Sequence, residues 1–416
     1  MTAGEKILQK ALVGSSKLDS RQWNSIQAGL RDRAFFSSQV ASVRVLHAAR
    51  EMVAERAGGN LSESEFRREM RKVLGLDGYD AGENRGTIKD LVTKARLDVI
   101  QRTNVEQARG YIHHLEATAP GAFAAFPAQE LVRVRQRKQP RDWAKRWQDA
   151  GGKLYEGRMI ALVDDPIWTA ISAFGNPFPP FDFGSGMGVR AVKKSEAVRL
   201  GVISTDEVRA KAEELRQKPA PDFNANLQAT FDAGHWSDEY ARKLRDAFGD
   251  QLKHTQDQKT GNATVQWQRC LLRDMFENYT PPTQEESGKG WSLGKATAKL
   301  LAECDKVSPK YRQLFEGRGI SLNKSIAKHT IDEGHWLVDK TPGNIPVKPA
   351  DLDLVPSMWR NPDYIEAGGK KDSIVLCLET FDGGILKMPV VVKRQVPTPT
   401  GLFKQEAPTS SPANIP

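Results

Sequence analysis

Leu131-Val132-Arg133-Val134-Arg135-Gln136-Arg137 sets an arginine at every second position from 133, with Val132, Val134 and Gln136 between. A two-residue period belongs to a β-strand, which would bury Val132 and Val134 and aim Arg133, Arg135 and Arg137 from the opposite face. The residues before it carry a different period. Leu61-Ser62-Glu63-Ser64-Glu65-Phe66 supplies a capping serine, a glutamate three positions on and flanking apolar residues, so a helix starts there. Phe66, Met70, Val73 and Leu74 extend one apolar stripe over a face holding Arg67, Arg68, Arg71 and Lys72. A longer helix is predicted from Thr87 to Leu115, burying Ile88, Leu91, Val92, Ala95, Val99 and Ile100. A basic strand behind a helical region defines an α+β multidomain chain: a mainly helical amino-terminal half with a small β-containing core, then a small α+β carboxy-terminal module.

Beyond the strand, Asp164 to Val192 is dense in Gly, Pro and aromatic residues, which predicts an ordered, aromatic-packed loop. Helical patterning returns from Ser195 to Gly249, with Ser237 as an N-cap and Tyr240, Leu244 and Phe248 four apart. Tyr279 to Gly290, which holds Pro281-Pro282, reads as a linker. In the last module Ser321 to His335 and about Pro349 to Trp359 read as helices, and Ser373 to Glu379 and Ile385 to Lys393 as a hairpin. Pro397 to Pro416 has five prolines among Ser and Thr and predicts a disordered tail. The expected divisions are 1–120 helical, 121–250 β-containing core, 251–318 linker and helical connector, 319–396 α+β module and 397–416 tail.

A chain of 416 residues exceeds what one core usually serves. No apolar run approaches the roughly 20 residues of a spanning helix, so no membrane partner is expected. Glu5, Lys6 and Lys10 interrupt the apolar stretches of the amino terminus, which argues for a cytoplasmic protein without a secretory signal. Cys270, Cys304 and Cys377 are widely spaced and odd in number, so reduced, packed thiols are expected. The net charge is +9. Between Gln129 and Trp147 seven basic side chains, Lys138 and Arg141 among them, meet only Glu130 and Asp142, an excess of five. More than half the charge therefore sits on one short segment, suited to phosphates or to a partner's acidic surface.

Candidate chemistry is sparse. Gly184-Ser-Gly-Met-Gly188 follows a Pro/Phe loop, lacks nucleotide-loop spacing and leaves Ser185 out of nucleophile register, so a turn is expected. Asp164-Asp165-Pro166 fits a cap better than a metal pair, His113-His114 lack the i,i+4 spacing of ligands, and Trp143 and Trp147 read as core anchors. No metal or cofactor is expected. His329 and His335, with Ser321, Asn323, Lys324 and Lys328 close by, are the residue types of metal-free RNA cleavage, in which one imidazole takes the 2′-hydroxyl proton and the other protonates the leaving oxygen. On one helix their rings would diverge; they converge only if the helix ends before His335, which Gly334 permits.

Arg102-Thr103-Asn104, the basic strand, Leu162-Val-Asp-Asp-Pro-Ile-Trp168 and Asn176-Pro-Phe-Pro-Pro180 resemble, in order and spacing, the phage Mu F-like head morphogenesis (minor head) proteins over about a quarter of the chain. Asp164, Asp165, Pro166, Trp168, Pro179 and Pro180 carry that resemblance. Family members commonly hold a histidine segment before the aspartates and a Cys-x-Cys pair after the Pro-Pro loop. Here Met187 to Val192 contains no Cys and no His lies between His114 and His235, so no metal or thiol role carries over. Ser321 to His329, His335, Asp351 to Pro356, Asn361-Pro362-Asp363 and the hairpin resemble the phage nuclease-like domains of the barnase, EndoU, colicin and RelE superfamily. Together the resemblances imply a structural protein of the virion head, assembled in the host cytoplasm. Its implied partners are portal and capsid proteins, with packaged DNA met by Arg133, Arg135, Arg137, Lys138 and Arg141. The alternative they imply is a metal-independent ribonuclease in 319–396 acting on RNA through Lys328, His329 and His335.

Overall fold

Two threonine or serine caps set the helical beginning. Thr2 and Ser62 each accept the backbone N–H three residues on, and Glu5 and Glu65 reach back to the caps, opening the helices Ala3–Leu8 and Glu63–Leu76. Phe66, Met70, Val73 and Leu74 are buried, as their spacing predicts. The computed structural model describes residues 2–12, 23, 31–38, 40, 42–137, 139–217, 230–234, 252–256, 263–267, 276, 290–332, 334–339, 341–380, 382–393 and 396–406. It is a mixed α+β protein. Two units divide the chain, one made of 1–10, 16–40 and 48–227, the other of 11–15, 41–47 and 228–416. Most of the helical region and of the β core, divided at 120 by sequence, thus falls in the first unit.

The long helix runs Lys94–Ala117, seven residues later than its pattern predicts. The Asp90 carboxylate accepts from the Gly86 and Val92 backbones, fixing a turn that competes with helix, and Thr93 caps the helix instead. Ile88 is consequently exposed, and the buried stripe is Leu97, Ile100, Gln101, Val105 and Ala108.

The sheet of the first unit is antiparallel, in the order Leu154–Tyr155, Arg158–Leu162, Ala128–Arg133, Met187–Val192. Its central strand does not continue through the arginines. The backbone N–H groups of Val134 and Arg135 both donate to the Gly186 carbonyl, which ends the ladder at Arg133. Leu131 is buried, Val132 only partly, and Val134 stays 60% exposed, against the alternation read from sequence. The reason is that this sheet is covered on both faces, so no single parity marks the inside. Ala128 packs with Phe123, Ile160, Val192 and the helices Lys194–Arg199 and Thr205–Gln217. Leu131 packs with Trp143, Trp147, Trp168 and Phe181. Two tryptophans four apart on the helix Trp143–Asp149 are core anchors, as expected.

In the second unit, Thr230–Gly234, Ala263–Trp267 and Leu252–Gln256 form a three-stranded antiparallel sheet, in that order, where the sequence predicts helix and linker. Ser237, Tyr240, Leu244, Phe248, Cys270 and the Pro281-Pro282 segment lie outside the described residues. Ser321 sits in the strand Gly319–Asn323, paired with Gly290–Lys295, so the following helix is shorter than predicted, Lys324–Asp332. The terminal sheet runs Asn344–Ile345, Phe403–Glu406, Gly384–Lys393, Ser373–Glu379, Tyr364–Ala367, with Val396–Pro399 also on Gly384–Lys393. Two of its strands thus come from the stretch that composition assigns to a disordered tail. Cys304 and Cys377 are buried free thiols, and burial pushes them up to about 11 and about 12.

Candidate functional site

The helix Lys324–Asp332 ends before His335 can join it. Gly334 adopts φ +77°, and the His335 backbone N–H turns back to the Thr330 carbonyl. That reversal brings His329 and His335 to the wall of one cavity of about 280 Å³, with Lys370, Ser373 and Phe403. Lys328 is exposed and is not part of this wall. His335 Nδ1 lies 2.7 Å from Asp339 Oδ2, and Asp339 also accepts from the Thr341 backbone and the Asn344 amide. Burial alone would raise the Asp339 carboxyl, but the Thr341 and His335 hydrogen bonds outweigh it and hold it below the ordinary carboxylate range. An ionised Asp339 orients the ring and favours the proton on Nδ1, turning Nε2 to other work. Two imidazoles and an amine around one cavity can take up and deliver protons and hold a phosphate. Asp339 carried no signal beyond lying four residues after His335.

The arginine segment is less of a free cationic row than its sequence suggests. Arg133 is exposed at the strand end. Arg135 pairs with Glu106 at 2.8 Å. Arg141 and Arg146 share Asp182, and Arg141 also donates to the Phe183 carbonyl. Lys138 lies outside the described residues. Arg137 lies over the turn at Gly186, its Nε 3.0 Å from where a Cβ on that glycine would stand. Gly184 and Gly186 both have positive φ, and Ser185 accepts the Met187 N–H, so this stretch is the expected turn.

The aspartate-proline motif is used in packing. Asp165 accepts the Ile167 N–H and opens the short helix Ile167–Ala170; Asp164 pairs with Lys211 at 2.8 Å. Pro166 stands at the N-cap, and Trp168, fully buried, donates its indole N–H to the Leu162 carbonyl at 2.7 Å. Pro179 and Pro180 meet through a cis peptide bond, and the Pro179 carbonyl comes so near the helix Lys94–Ala117 that a Cβ on Gly110 would lie 2.0 Å from it. Among the described residues no group of three His, Cys, Asp or Glu gathers as a metal would require.

Glu130, which the sequence marks only as one of two acids in the basic segment, accepts from Arg158 and Arg190 across the sheet. Burial would raise its carboxyl; the two guanidiniums outweigh that and hold it below the ordinary range. A depressed folded value means the stabilisation is present above the unfolded carboxyl's titration near ~4.3 and is lost as pH falls through the folded value. Glu130→Gln is expected to cost about 1–2 kcal/mol at neutral pH and to flatten the acid limb of stability against pH, read by hydrogen exchange in 128–133. An unchanged acid limb would count against this role.

Comparison with known protein families, with curated proteins and with solved structures finds no match for this chain. No helix among the described residues is long and apolar enough to cross a membrane.

Proposed function

We propose that the chain is a structural component of a tailed-phage or prophage head, acting in head morphogenesis beside the portal and the packaged DNA and residing in the virion after assembly in the host cytoplasm. The observation that carries this reading is the employment of the aspartate-proline motif. Trp168 sits in a buried aromatic cluster with Phe181, Asp165 opens its helix, Asp164 pairs with Lys211 and the Pro179 carbonyl meets the helix Lys94–Ala117, so the residues that resemble the Mu F-like head proteins take part in packing. Co-expression with a portal protein from the same genome is the test: the chain should sediment with portal rings, and sedimentation as a separate species would count against the reading.

A second reading, RNA cleavage by the terminal module, is favoured by the two imidazoles on one cavity. One ring takes the proton of a ribose 2′-hydroxyl as its oxygen attacks phosphorus, and the other delivers a proton to the departing 5′-oxygen, leaving a 2′,3′-cyclic phosphate. Lys370, on the cavity wall, is better placed than Lys328 to meet the phosphate charge. With labelled RNA in excess chelator, His329→Ala and His335→Ala are each expected to slow the full chain about 10²-fold or more. Equal cleavage by all three proteins, or products lacking the cyclic phosphate, would exclude this chemistry.

A further inference from the structure

The strand Met187–Val192 is the outer strand of its sheet. Its parity follows from the register. Gly186 accepts from Val134 and Arg135, and Gly188 lies opposite Val132, so the even-numbered residues turn their backbone groups inward. The other neighbour agrees, since the Pro127 carbonyl accepts from Val163 on the far side of the central strand. The backbone groups of Met187, Val189 and Ala191 therefore face outward, and the Met187 N–H is taken by Ser185. Val189 and Ala191 present backbone groups at the two-residue repeat of an extended chain.

Beside this edge, a cavity of about 290 Å³ opens against the helix Lys94–Ala117. Its charge is one-sided: among the described residues Arg109, Arg135 and Arg137 line it against the single carboxylate of Glu106, which Arg135 already engages. Among the described residues the Arg137 Nε is buried without a hydrogen-bond partner, a donor whose desolvation none of them offsets. Val134, 60% exposed, and the rings of Pro179 and Pro180 make apolar wall between the cations. A rigid duplex presents phosphates on a convex surface and has no use for such a recess or for strand donors. An extended peptide uses all three features: main chain on the edge, an acidic side chain on the guanidiniums, and an apolar one against Val134.

We propose that this cavity and the outer edge of Met187–Val192 form a docking site for an extended acidic segment of a partner protein, which adds as a strand and sets a carboxylate on Arg137. The site is independent of the head-assembly reading; it would stand if the chain never entered a head, and it would fall without disturbing that reading.

Anisotropy on the full chain tests it with three labelled probes: a peptide of about ten residues alternating valine and glutamate, the same peptide with lysine for glutamate, and a short DNA duplex. The glutamate peptide should bind, the lysine peptide should not, and the duplex should not displace the first. Arg137→Gln is expected to weaken glutamate-peptide binding about tenfold or more. Val189→Pro, tolerable where the N–H faces outward, should do the same by removing the edge donor, whereas Arg133→Gln, outside the cavity, should leave binding intact. Equal binding of both peptides, displacement by the duplex, or full binding by both Arg137→Gln and Val189→Pro would overturn the proposal. The wild-type comparison decides by itself should either variant misfold.

Discussion

Trp168→Ala is expected to cost about 3–5 kcal/mol, a large part of the roughly 5–15 kcal/mol that holds a domain together. Trp168 has no exposed surface and packs against Trp147 and Phe181 at ring-centre distances of 5.2 and 5.8 Å. Removing the indole opens a void among the largest side chains of the unit and leaves the Leu162 carbonyl with the Asp165 N–H as its remaining donor. Trp168→Phe keeps a six-membered ring but loses the N–H and part of the indole's volume, so about 1–3 kcal/mol is expected. Hydrogen exchange in 128–133 and 158–162 reads both, since a chain of two units does not unfold in one step. Equal protection in wild type and Trp168→Ala would show that the aromatic cluster is not the keystone of this sheet.

Ending the chain at Val396 is expected to unravel the terminal sheet. Composition marks residues 397–416 as expendable, yet Phe403–Glu406 lies between Asn344–Ile345 and Gly384–Lys393. Lys404 is wholly buried there, 3.1 Å from Asp351 and 2.7 Å from Asp382, and the buried Leu402 donates its N–H to Thr330. Truncation strands the Asp351 carboxylate in the interior, and breaking such a pair from one side costs about 3–5 kcal/mol. Lys404→Ala alone should reproduce that part of the loss. Because Thr330 neighbours His329, the truncated chain should also lose any RNA cleavage. Retained hydrogen-exchange protection in Ser373–Glu379 after truncation would contradict a structural role for these residues.

Both results bear on how much of the fold is legible in the sequence. Local rules served well where one residue's chemistry decides: the Ser62 cap, the Gly334 reversal that brings His329 and His335 to one wall, and the turn at Asp165. They failed where tertiary context decides. The alternation at Leu131–Arg137 assumes one covered face, but both faces of that sheet are packed. Prolines at 397 and 399 suggest disorder, yet Val396–Pro399 pairs with only the Val390–Lys393 stretch of one strand, where a missing N–H is tolerated. Lys404 reads as a solvated charge until Asp351 and Asp382, 53 and 22 residues away, are folded beside it. Glu130 belongs to the same class, since nothing local marks its partners Arg158 and Arg190.

The claim that the chain is built into a phage head is tested most directly by mass spectrometry of purified procapsids and virions from the genome that encodes it. The polypeptide is expected in both, at a constant ratio to the portal protein and retained through gradient purification. Particles of either kind from which it is wholly missing would contradict the claim.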